Sequence, residues 1–223
     1  MTTDATDAHG LGSFSQDDAQ EARPEPQRFS TGAVLHDLKR MDLAVYRAVE
    51  GTRTPVLDVP LREISRLANH SKLWLAIAAL LFAFGGRSGR RAAVTGAVAV
   101  GVNSFVVNVP LKALGHRDRP DRGTVDVSTE RHVSMPTSTS FPSGHSASGF
   151  AFAQAVAATR PELGLPLRGL AAVVAYSRIH TGVHYPGDVI AGVLIGMAIG
   201  EGTARGARPL LRMRAPRAAR QTP

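Results

Sequence analysis

The stretch AAVTGAVAVGVNSFVVNVPL, from Ala92 to Leu111, decides the fold class of this chain. Its only polar side chains are those of Asn, Ser and Thr, and none of them is charged. At about 1.5 Å per residue, a helix of this length covers roughly 30 Å, which is one hydrocarbon thickness of a lipid bilayer. The stretch therefore predicts a long apolar helix.

Further apolar runs surround this helix, and their small residues favour a membrane over a water-soluble helical bundle. In the last run, glycine recurs at every fourth position (Gly192, Gly196 and Gly200), and alanine has the same spacing from Ala147 to Ala155. Small residues let membrane helices approach closely, whereas each interior glycine costs a soluble helix about 1 kcal/mol. The sequence predicts an all-α, membrane-embedded bundle of about five to six helices. The additional runs are Leu73–Gly86, Ala147–Ala158, Leu167–Tyr176 and Val189–Ile199.

Polar segments at both ends set the domain organisation. Residues 1–30 are rich in Asp, Glu, Gln, Pro and Ser, which predicts a disordered tail. Residues 31–71 contain two apolar stripes at helical spacing, typical of amphipathic helices at a bilayer surface or over a core. Residues 72–204 hold the apolar runs. The basic residues 205–223 predict a tail that is either solvated or in contact with anionic lipid headgroups.

Composition excludes several classes of protein. The absence of cysteine excludes a disulfide scaffold, a cysteine-ligated metal and a cysteine nucleophile. A hydrophobic content of 43% excludes a wholly disordered chain. The net charge of +8 indicates an anionic partner. Nucleic acid is disfavoured as that partner because the basic residues lie beside apolar runs.

Charge placement predicts the topology. Arginines follow the first apolar run at residues 87–91, flank a connection at residues 160–168, and dominate residues 205–223. Threading the runs alternately through a bilayer puts these clusters on one side, which the positive-inside rule makes cytoplasmic. Residues 112–144 and 177–188 then share the opposite face.

Three cations at the ends of apolar helices point to a phosphate ligand. Lys112, Arg119 and Arg178 lie on the shared face, where an unpaired cation is expensive unless an anion meets it. A guanidinium can grip two phosphate oxygens at once. The alternative is that each cation simply reaches toward lipid headgroups.

Two histidines on the same face supply candidate reactive groups. Ser143 and Gly144 precede an apolar run, so Ser143 is a natural N-cap and the free N–H groups of the first turn suit an anion. Asp188 can fix the tautomer of His184, whose other nitrogen then attacks phosphorus, while His145 protonates the leaving oxygen. Structural histidines or a metal site are the alternatives, but neighbouring cations would repel a metal ion.

These segments resemble the signature of the type 2 phosphatidic acid phosphatase superfamily. The motifs are Lys-x6-Arg-Pro from Lys112, Pro-Ser-Gly-His from Pro142, and Ser-Arg-x5-His-x3-Asp from Ser177. All eleven fixed positions match, in the order of the family. The similarity spans roughly residues 73–200. Membrane members of this family commonly have six spanning helices, whereas this sequence has about five apolar runs, so the first span is expected to be replaced by the surface helices of residues 34–70.

The resemblance implies a phosphatase that needs no metal or other cofactor. His184 would form a phosphohistidine, oriented by Asp188, and His145 would protonate the leaving group. His116, Asp118 and His180 fall inside variable stretches and are expected on the rim of the pocket. The residues expected to hold the phosphate are Lys112, Arg119, Ser143, Gly144 and Arg178.

The expected substrate is a lipid phosphate or diphosphate, such as undecaprenyl diphosphate or a phosphatidate-type lipid. We expect a multi-pass protein of the cell membrane with its active site on the non-cytoplasmic face. The superfamily also contains soluble secreted acid phosphatases and vanadium haloperoxidases. A non-lipid acid phosphatase and a vanadate-dependent haloperoxidase-like protein are alternatives, but residues 1–30 do not resemble a secretory signal and haloperoxidases are generally much larger. A non-catalytic membrane protein that binds anions or lipids is the remaining alternative.

Overall fold

Every regular element is a helix in the part of the chain that the computed structural model describes, residues 30–124 and 129–213. The all-α prediction is therefore confirmed. Helix α4 continues through a π-helical turn, Val107–Leu111, and a last turn, Lys112–Leu114. Short 3₁₀ turns link several helices. The seven α-helices are α1 (Thr31–Gly51), α2 (Pro55–Leu67), α3 (Lys72–Phe84), α4 (Gly86–Val106), α5 (Gly144–Ala157), α6 (Gly164–His180) and α7 (Pro186–Met213).

The predicted tails lie largely outside the described residues, which exclude 1–29 and 214–223. Helix α7 continues to Met213, past residue 204, where the sequence predicts the start of the basic tail. The chain consists of two compact units, residues 1–38 and residues 39–223. The described part of the first unit is the first half of α1, and the packing below concerns the second unit.

Helix α5 is the central helix of the bundle and packs against α4, α6 and α7. Its side chains Ala151, Phe152 and Val156 are completely buried. The ring of Phe152 lies against Trp74 of α3, with 5.7 Å between the ring centroids. Burying this apolar surface stabilises the arrangement of α3, α4 and α6 around α5.

Glycines of α7 let that helix approach α5 at backbone distance. A Cβ atom on Gly192 would lie 2.5 Å from the carbonyl oxygen of Ser143, and one on Gly200 would lie 2.5 Å from that of Ala151. Gly196 faces the carbonyl of Ala147 in the same way. The glycine and alanine stripes of the sequence therefore pack against each other, as close helix contacts require.

The five helices α3 to α7 run between two ends of the bundle. The described loop residues 115–124, 129–143 and 181–185 lie at one end, and Ser65 of α2 reaches this end by bonding Arg178. At the other end, Arg160 donates to Ser88 at 3.5 Å. The first two basic clusters of the sequence therefore lie at the end opposite these loops.

Two helices are long and apolar enough to cross a bilayer within the described residues, Gly86–Leu114 and Pro186–Pro209. Helices α2 and α3 satisfy the same test as a pair that bends by 61°. Apolar side chains such as Leu80 and Leu194 are exposed on the outside of the bundle, where lipid would cover them. The helices form a membrane-embedded bundle. Helix α2 forms the first half of this bent pair.

Alanine at Gly196 should destabilise the bundle, because the added Cβ meets the backbone of Ala147 rather than a movable side chain. We expect a loss of about 1–3 kcal/mol, typical of an overpacked core. The control is Gly202→Ala in the same helix, where a Cβ would meet nothing within 4 Å. Thermal unfolding in detergent compares the two variants. An unchanged or raised melting temperature for Gly196→Ala would contradict the close contact.

Candidate active site

A cavity of about 690 Å³ opens at the loop end of the bundle. Three predicted site residues, Ser143, Arg178 and Asp188, are buried behind its wall rather than part of its lining. The cavity thus brings together candidate phosphate ligands and both candidate histidines. The predicted site residues that line it are Lys112, Arg119, Gly144, His145 and His184.

His184 lies in the turn between α6 and α7 and is only 2% exposed. Its Nε2 is 3.3 Å from Nη1 of Arg119, and its Nδ1 is 3.4 Å from the hydroxyl of Ser140. A guanidinium can only donate, so Nε2 must offer its lone pair and Nδ1 carries the proton. That arrangement is the tautomer expected of a nucleophilic imidazole.

Burial lowers the pKa of His184 to about 4. The nearby carboxylate of Asp188 opposes this effect, while the positive charges of Arg178 and Arg119 add to it. The imidazole is therefore neutral at pH 7, with a lone pair available on Nε2.

Asp188 lies behind His184 and is completely buried. Its Oδ2 is 3.6 Å from Nδ1 of His184 and accepts from the hydroxyl of Ser140 at 2.5 Å and from the amide of Tyr185 at 2.9 Å. Its Oδ1 accepts from Nη1 of Arg117 at 3.0 Å. These donors hold the carboxylate in place beside the imidazole.

Helix α1 reaches this network through Asp42. Its carboxylate accepts from Nη2 of Arg117 at 2.5 Å and from the amide of Gly187 at 2.6 Å. The guanidinium of Arg117 also lies over the ring of Tyr185, 4.1 Å from its centroid. Arg117 is thus fixed on two sides while it binds Asp188.

Lys112 and Arg119 are joined at the mouth of the cavity through Ser138. The hydroxyl of Ser138 accepts from Nζ of Lys112 at 2.9 Å and from Nη2 of Arg119 at 3.2 Å. Arg119 also donates to the carbonyls of Ser138 and Val183, at 2.9 and 2.8 Å. Burial lowers the pKa of Arg119, but a guanidinium stays charged at neutral pH. The two cations make this wall of the cavity attractive to an anion.

The start of α5 faces the same cavity. Ser143 occupies the N-cap position, as the sequence predicts, but its hydroxyl bonds Ser146 at 2.9 Å and makes no capping bond to the backbone. The backbone N–H of Ser143 donates to the carbonyl of Asp188 at 3.0 Å. The N–H groups of the first turn therefore have no capping side chain, which suits an anion.

The remaining predicted site residues have partners from α2 and the turn after it. Nε2 of His145 is 2.9 Å from Oδ1 of Asn69. Arg178 is buried and bonds the hydroxyl of Ser65, while its Nε has no partner within the described residues. Arg178 thus supplies positive charge from behind the wall and does not touch the cavity directly.

The prediction of rim positions is wrong for His180, which is buried and 3.0 Å from Oδ1 of Asp58. Asp58 also pairs with Arg131 at 2.8 Å. His116 and Asp118 are exposed. Their side chains are accessible to solvent, as a rim position would require.

Sequence reasoning missed Arg117, Ser140, Asn69 and Asp42. Arg117 lies inside the variable stretch of the first motif, and Ser140 lies two residues before the second motif. That proximity is the only signal in the sequence that could have identified them. Asn69 and Asp42 lie far from the motifs in the chain and meet them only in the fold. Within the described ranges, no cluster of three or more His, Asp or Glu side chains is arranged to hold a metal ion.

The comparisons with known proteins agree with this geometry. The model of the PAP2 superfamily matches residues 92–208, which include all three motifs. The chain belongs to the PAP2 superfamily. This PAP2 chain is 35% identical over 164 residues to the decaprenylphosphoryl-5-phosphoribose phosphatase of Mycobacterium tuberculosis, covering 72% of this chain and 88% of that one.

A second relative and a solved structure extend the likeness. Undecaprenyl-diphosphatase BcrC of Bacillus subtilis is 27% identical over 72% of this chain and 81% of its own. The crystal structure of a transmembrane PAP2 type phosphatidylglycerolphosphate phosphatase from Bacillus subtilis shares the fold, with a TM-score of 0.59, 22% identity, and coverage of 82% of this chain and 92% of its own. Family membership and the names of these relatives identify the chain as a phosphatase.

The low pKa of His184 should make stability depend on pH. Above about pH 6.5 the His184 imidazole is neutral in both the folded and the unfolded protein. Below about pH 6.5 the unfolded chain binds a proton at His184, whereas the folded chain binds this proton only below about pH 4. Stability should therefore fall as the pH falls through this window. Between pH 7 and pH 5 we expect the wild type to lose about 2 kcal/mol more than His184→Gln.

Denaturant unfolding in detergent at both pH values measures this difference. The His184→Gln variant is the control, since it keeps a polar side chain that does not titrate. Equal losses for the two proteins would show that His184 titrates normally in the fold.

Proposed function

We propose that this PAP2 phosphatase hydrolyses a lipid phosphate through a phosphohistidine on His184, without a metal ion. The observation that carries the proposal is the position of the His184 imidazole in the cavity, between Arg119 and Asp188. Its Nε2 lone pair lies 3.3 Å from the guanidinium of Arg119, and the carboxylate of Asp188 lies behind its Nδ1. A nucleophile, an orienting carboxylate and an anion-binding cation thus meet at one point.

In the first step, Nε2 of His184 bonds to phosphorus as the bond from phosphorus to the leaving oxygen breaks. The N–H of Arg119 that now faces Nε2 turns to a phosphoryl oxygen, and Lys112 and the first turn of α5 bind the others. These groups stabilise the negative charge that develops on the phosphoryl oxygens. Asp188 stabilises the imidazolium that forms when His184 becomes phosphorylated.

His145 acts as the general acid in the first step and as the general base in the second. Because Asn69 accepts from Nε2 of His145, Nδ1 is the nitrogen left to act. The negative charge of the bound phosphate favours the imidazolium form of His145, which gives its Nδ1 proton to the leaving oxygen. The neutral imidazole that remains then takes a proton from the water that attacks the phosphohistidine. Water's oxygen bonds to phosphorus, the bond to Nε2 of His184 breaks, and inorganic phosphate leaves.

The substrate we propose is a prenyl-linked phosphate or diphosphate. The names of the mycobacterial and Bacillus relatives support this class over a phosphatidate-type lipid. Leu75, Ala97 and Val100 also line the cavity, and their apolar side chains suit an apolar chain. The phosphate would be cleaved at the membrane surface while the chain stays in lipid.

A phosphohistidine trap tests the mechanism. Purified protein in detergent with excess EDTA should release phosphate from undecaprenyl diphosphate, and acid-sensitive, base-stable phosphate should accumulate on the protein after rapid quenching into alkali. We expect His184→Ala to lose more than a thousandfold of the activity and all of the label, because it removes the attacking atom.

His116→Ala is the matched control, since His116 is an exposed histidine that does not line the cavity. It should keep activity and label. Activity that EDTA abolishes and a divalent ion restores would favour metal chemistry. A folded wild type that binds the lipid without releasing phosphate would favour the non-catalytic binding protein.

We also propose that the active site faces the non-cytoplasmic side. The arginine clusters at residues 87–91 and 160–168 lie at the end of the bundle away from the cavity, which supports this orientation under the positive-inside rule. The second half of α1 and α2 then lie on the outer side with the loops. Cell-membrane location follows for a protein that meets its lipid substrate there.

Cysteine labelling tests the orientation, and the chain has no native cysteine to interfere. Thr137→Cys, in an exposed loop position at the cavity end, should react with a membrane-impermeant maleimide in intact cells. Ser88→Cys, exposed at the other end, should react only after permeabilisation. The reverse pattern would place the active site in the cytoplasm.

A further inference from the structure

One face of α1 contacts the turn between α6 and α7, which carries His184. Asp42, Tyr46 and Glu50 are spaced four residues apart, so they lie one above another on this face. Tyr46 and Glu50 are buried, and the Asp42 side chain is only 10% exposed. The face lies outside residues 92–208, which the family model matches. The three motifs therefore do not account for it.

Tyr46 and Glu50 pack against the turn itself. The rings of Tyr46 and Tyr185 meet edge to face, with 5.3 Å between their centroids. Gly182 has a positive φ of 64°, and a Cβ there would lie 2.7 Å from Oε1 of Glu50. Only glycine combines this backbone conformation with so close an approach. The two contacts fix the turn on the side that faces α1.

Asp42 contacts the start of α7, immediately beyond the turn. Its Oδ1 accepts from the backbone N–H of Gly187 at 2.6 Å. A Cβ on Gly187 would lie 3.1 Å from Oδ2 of Asp42, so the carboxylate lies directly against the helix backbone. The first N–H groups of a helix have no partner within the helix, and a carboxylate is a favourable one. Asp42 thus anchors the residue that precedes Asp188.

Arg117 connects the same carboxylate to Asp188. Its Nη2 donates to Asp42 at 2.5 Å, and its Nη1 donates to Asp188 at 3.0 Å. The Arg117 side chain is 31% exposed. Because an arginine side chain has many rotamers, a second fixed partner is needed to hold it in one of them. Two carboxylates and one guanidinium also leave one net negative charge behind His184.

We propose that Asp42 is a positioning residue for the reaction, which holds Asp188 behind His184 through Arg117 and through the first turn of α7. The proposal rests on the proposed function. The net negative charge supports the imidazolium that forms when His184 is phosphorylated. Asp42 does not line the cavity, so its effect falls on the chemical step rather than on substrate binding.

Steady-state kinetics of Asp42→Asn test this role. Asparagine keeps the size of the side chain and an acceptor for Gly187, but it loses the charge that holds Arg117. We measure kcat and KM for undecaprenyl diphosphate in detergent, with rates normalised to the folded fraction from thermal unfolding. We expect kcat to fall roughly tenfold to a hundredfold and KM to change by less than about threefold, as for a misplaced catalytic group.

Asp37→Asn is the matched control, since it removes the same charge from α1 at a side chain that is 71% exposed. It should keep the wild-type kcat. A wild-type kcat for Asp42→Asn, or a loss that appears only in KM, would overturn the positioning role.

A double-mutant cycle tests the route through Arg117. If Asp42 acts by holding this guanidinium, Arg117→Gln already removes most of its effect. The double variant Asp42→Asn, Arg117→Gln should then have a kcat within about threefold of Arg117→Gln alone. Losses that simply multiply would show that the two residues act independently, which contradicts the proposal.

Gly187→Ala tests the same contact without changing any charge. The added Cβ should displace the carboxylate of Asp42 by a few tenths of an ångström. We expect kcat to fall roughly threefold or more relative to Gly202→Ala, which adds a Cβ to the same helix where nothing lies within 4 Å. Equal kcat values for these two variants would overturn the proposal even if Asp42→Asn failed to fold.

The proposed function is judged separately, on the wild type and His184→Ala. If the wild type releases no phosphate or takes up no alkali-stable label, the proposed function is wrong and the role of Asp42 in it is wrong as well. If the wild type is active and labelled while Asp42→Asn matches it, only the positioning role is wrong.

Discussion

The backbone contact between α5 and α7 is the constraint on which the rest of the site depends. Helix α5 carries His145 and the first turn that we propose binds the phosphate, and α7 carries Asp188, which we propose orients His184. The glycine face of α7 lets the two backbones touch, and the N–H of Ser143 donates to the carbonyl of Asp188 at 3.0 Å. Separating the helices would move both histidines relative to the phosphate, and small misplacements in an active site are costly to catalysis.

Buried positive charge is the second constraint. Arg178 lies behind the cavity wall and Arg119 lines it, and together with Lys112 they leave an excess of cations over carboxylates. Burial, and after it the charges of Arg178 and Arg119, disfavour protonation of His184, so two of the charges that attract a phosphate also help to keep the proposed nucleophile neutral. The fold holds these cations with backbone carbonyls and serine hydroxyls, which bind them without cancelling their charge. The site is thereby prepared for an anion before one arrives.

Prediction from sequence succeeded where function requires fixed residue types at fixed spacings. The three motifs identified the residues that line or back the cavity, and the apolar runs identified the helices of the bundle. Prediction failed for Asn69 and Asp42, because their partners His145 and Arg117 are far away in the chain and no local pattern marks such a pairing. The sequence-based prediction also failed for His180, since spacing alone cannot show that this histidine contacts Asp58 of α2.

The amino-acid sequence by itself determined the family, the helical class, the residues that we propose react and the small-residue face that joins α5 to α7, because each depends on residue type and short-range periodicity. Only the tertiary structure decided which nitrogen of His184 faces the cavity, that Arg117 and Ser140 hold Asp188, and that Asp42 of α1 meets Gly187 at the start of α7. Those facts depend on how helices distant in the chain rotate and approach one another, which is set by packing over the whole bundle rather than by any local stretch.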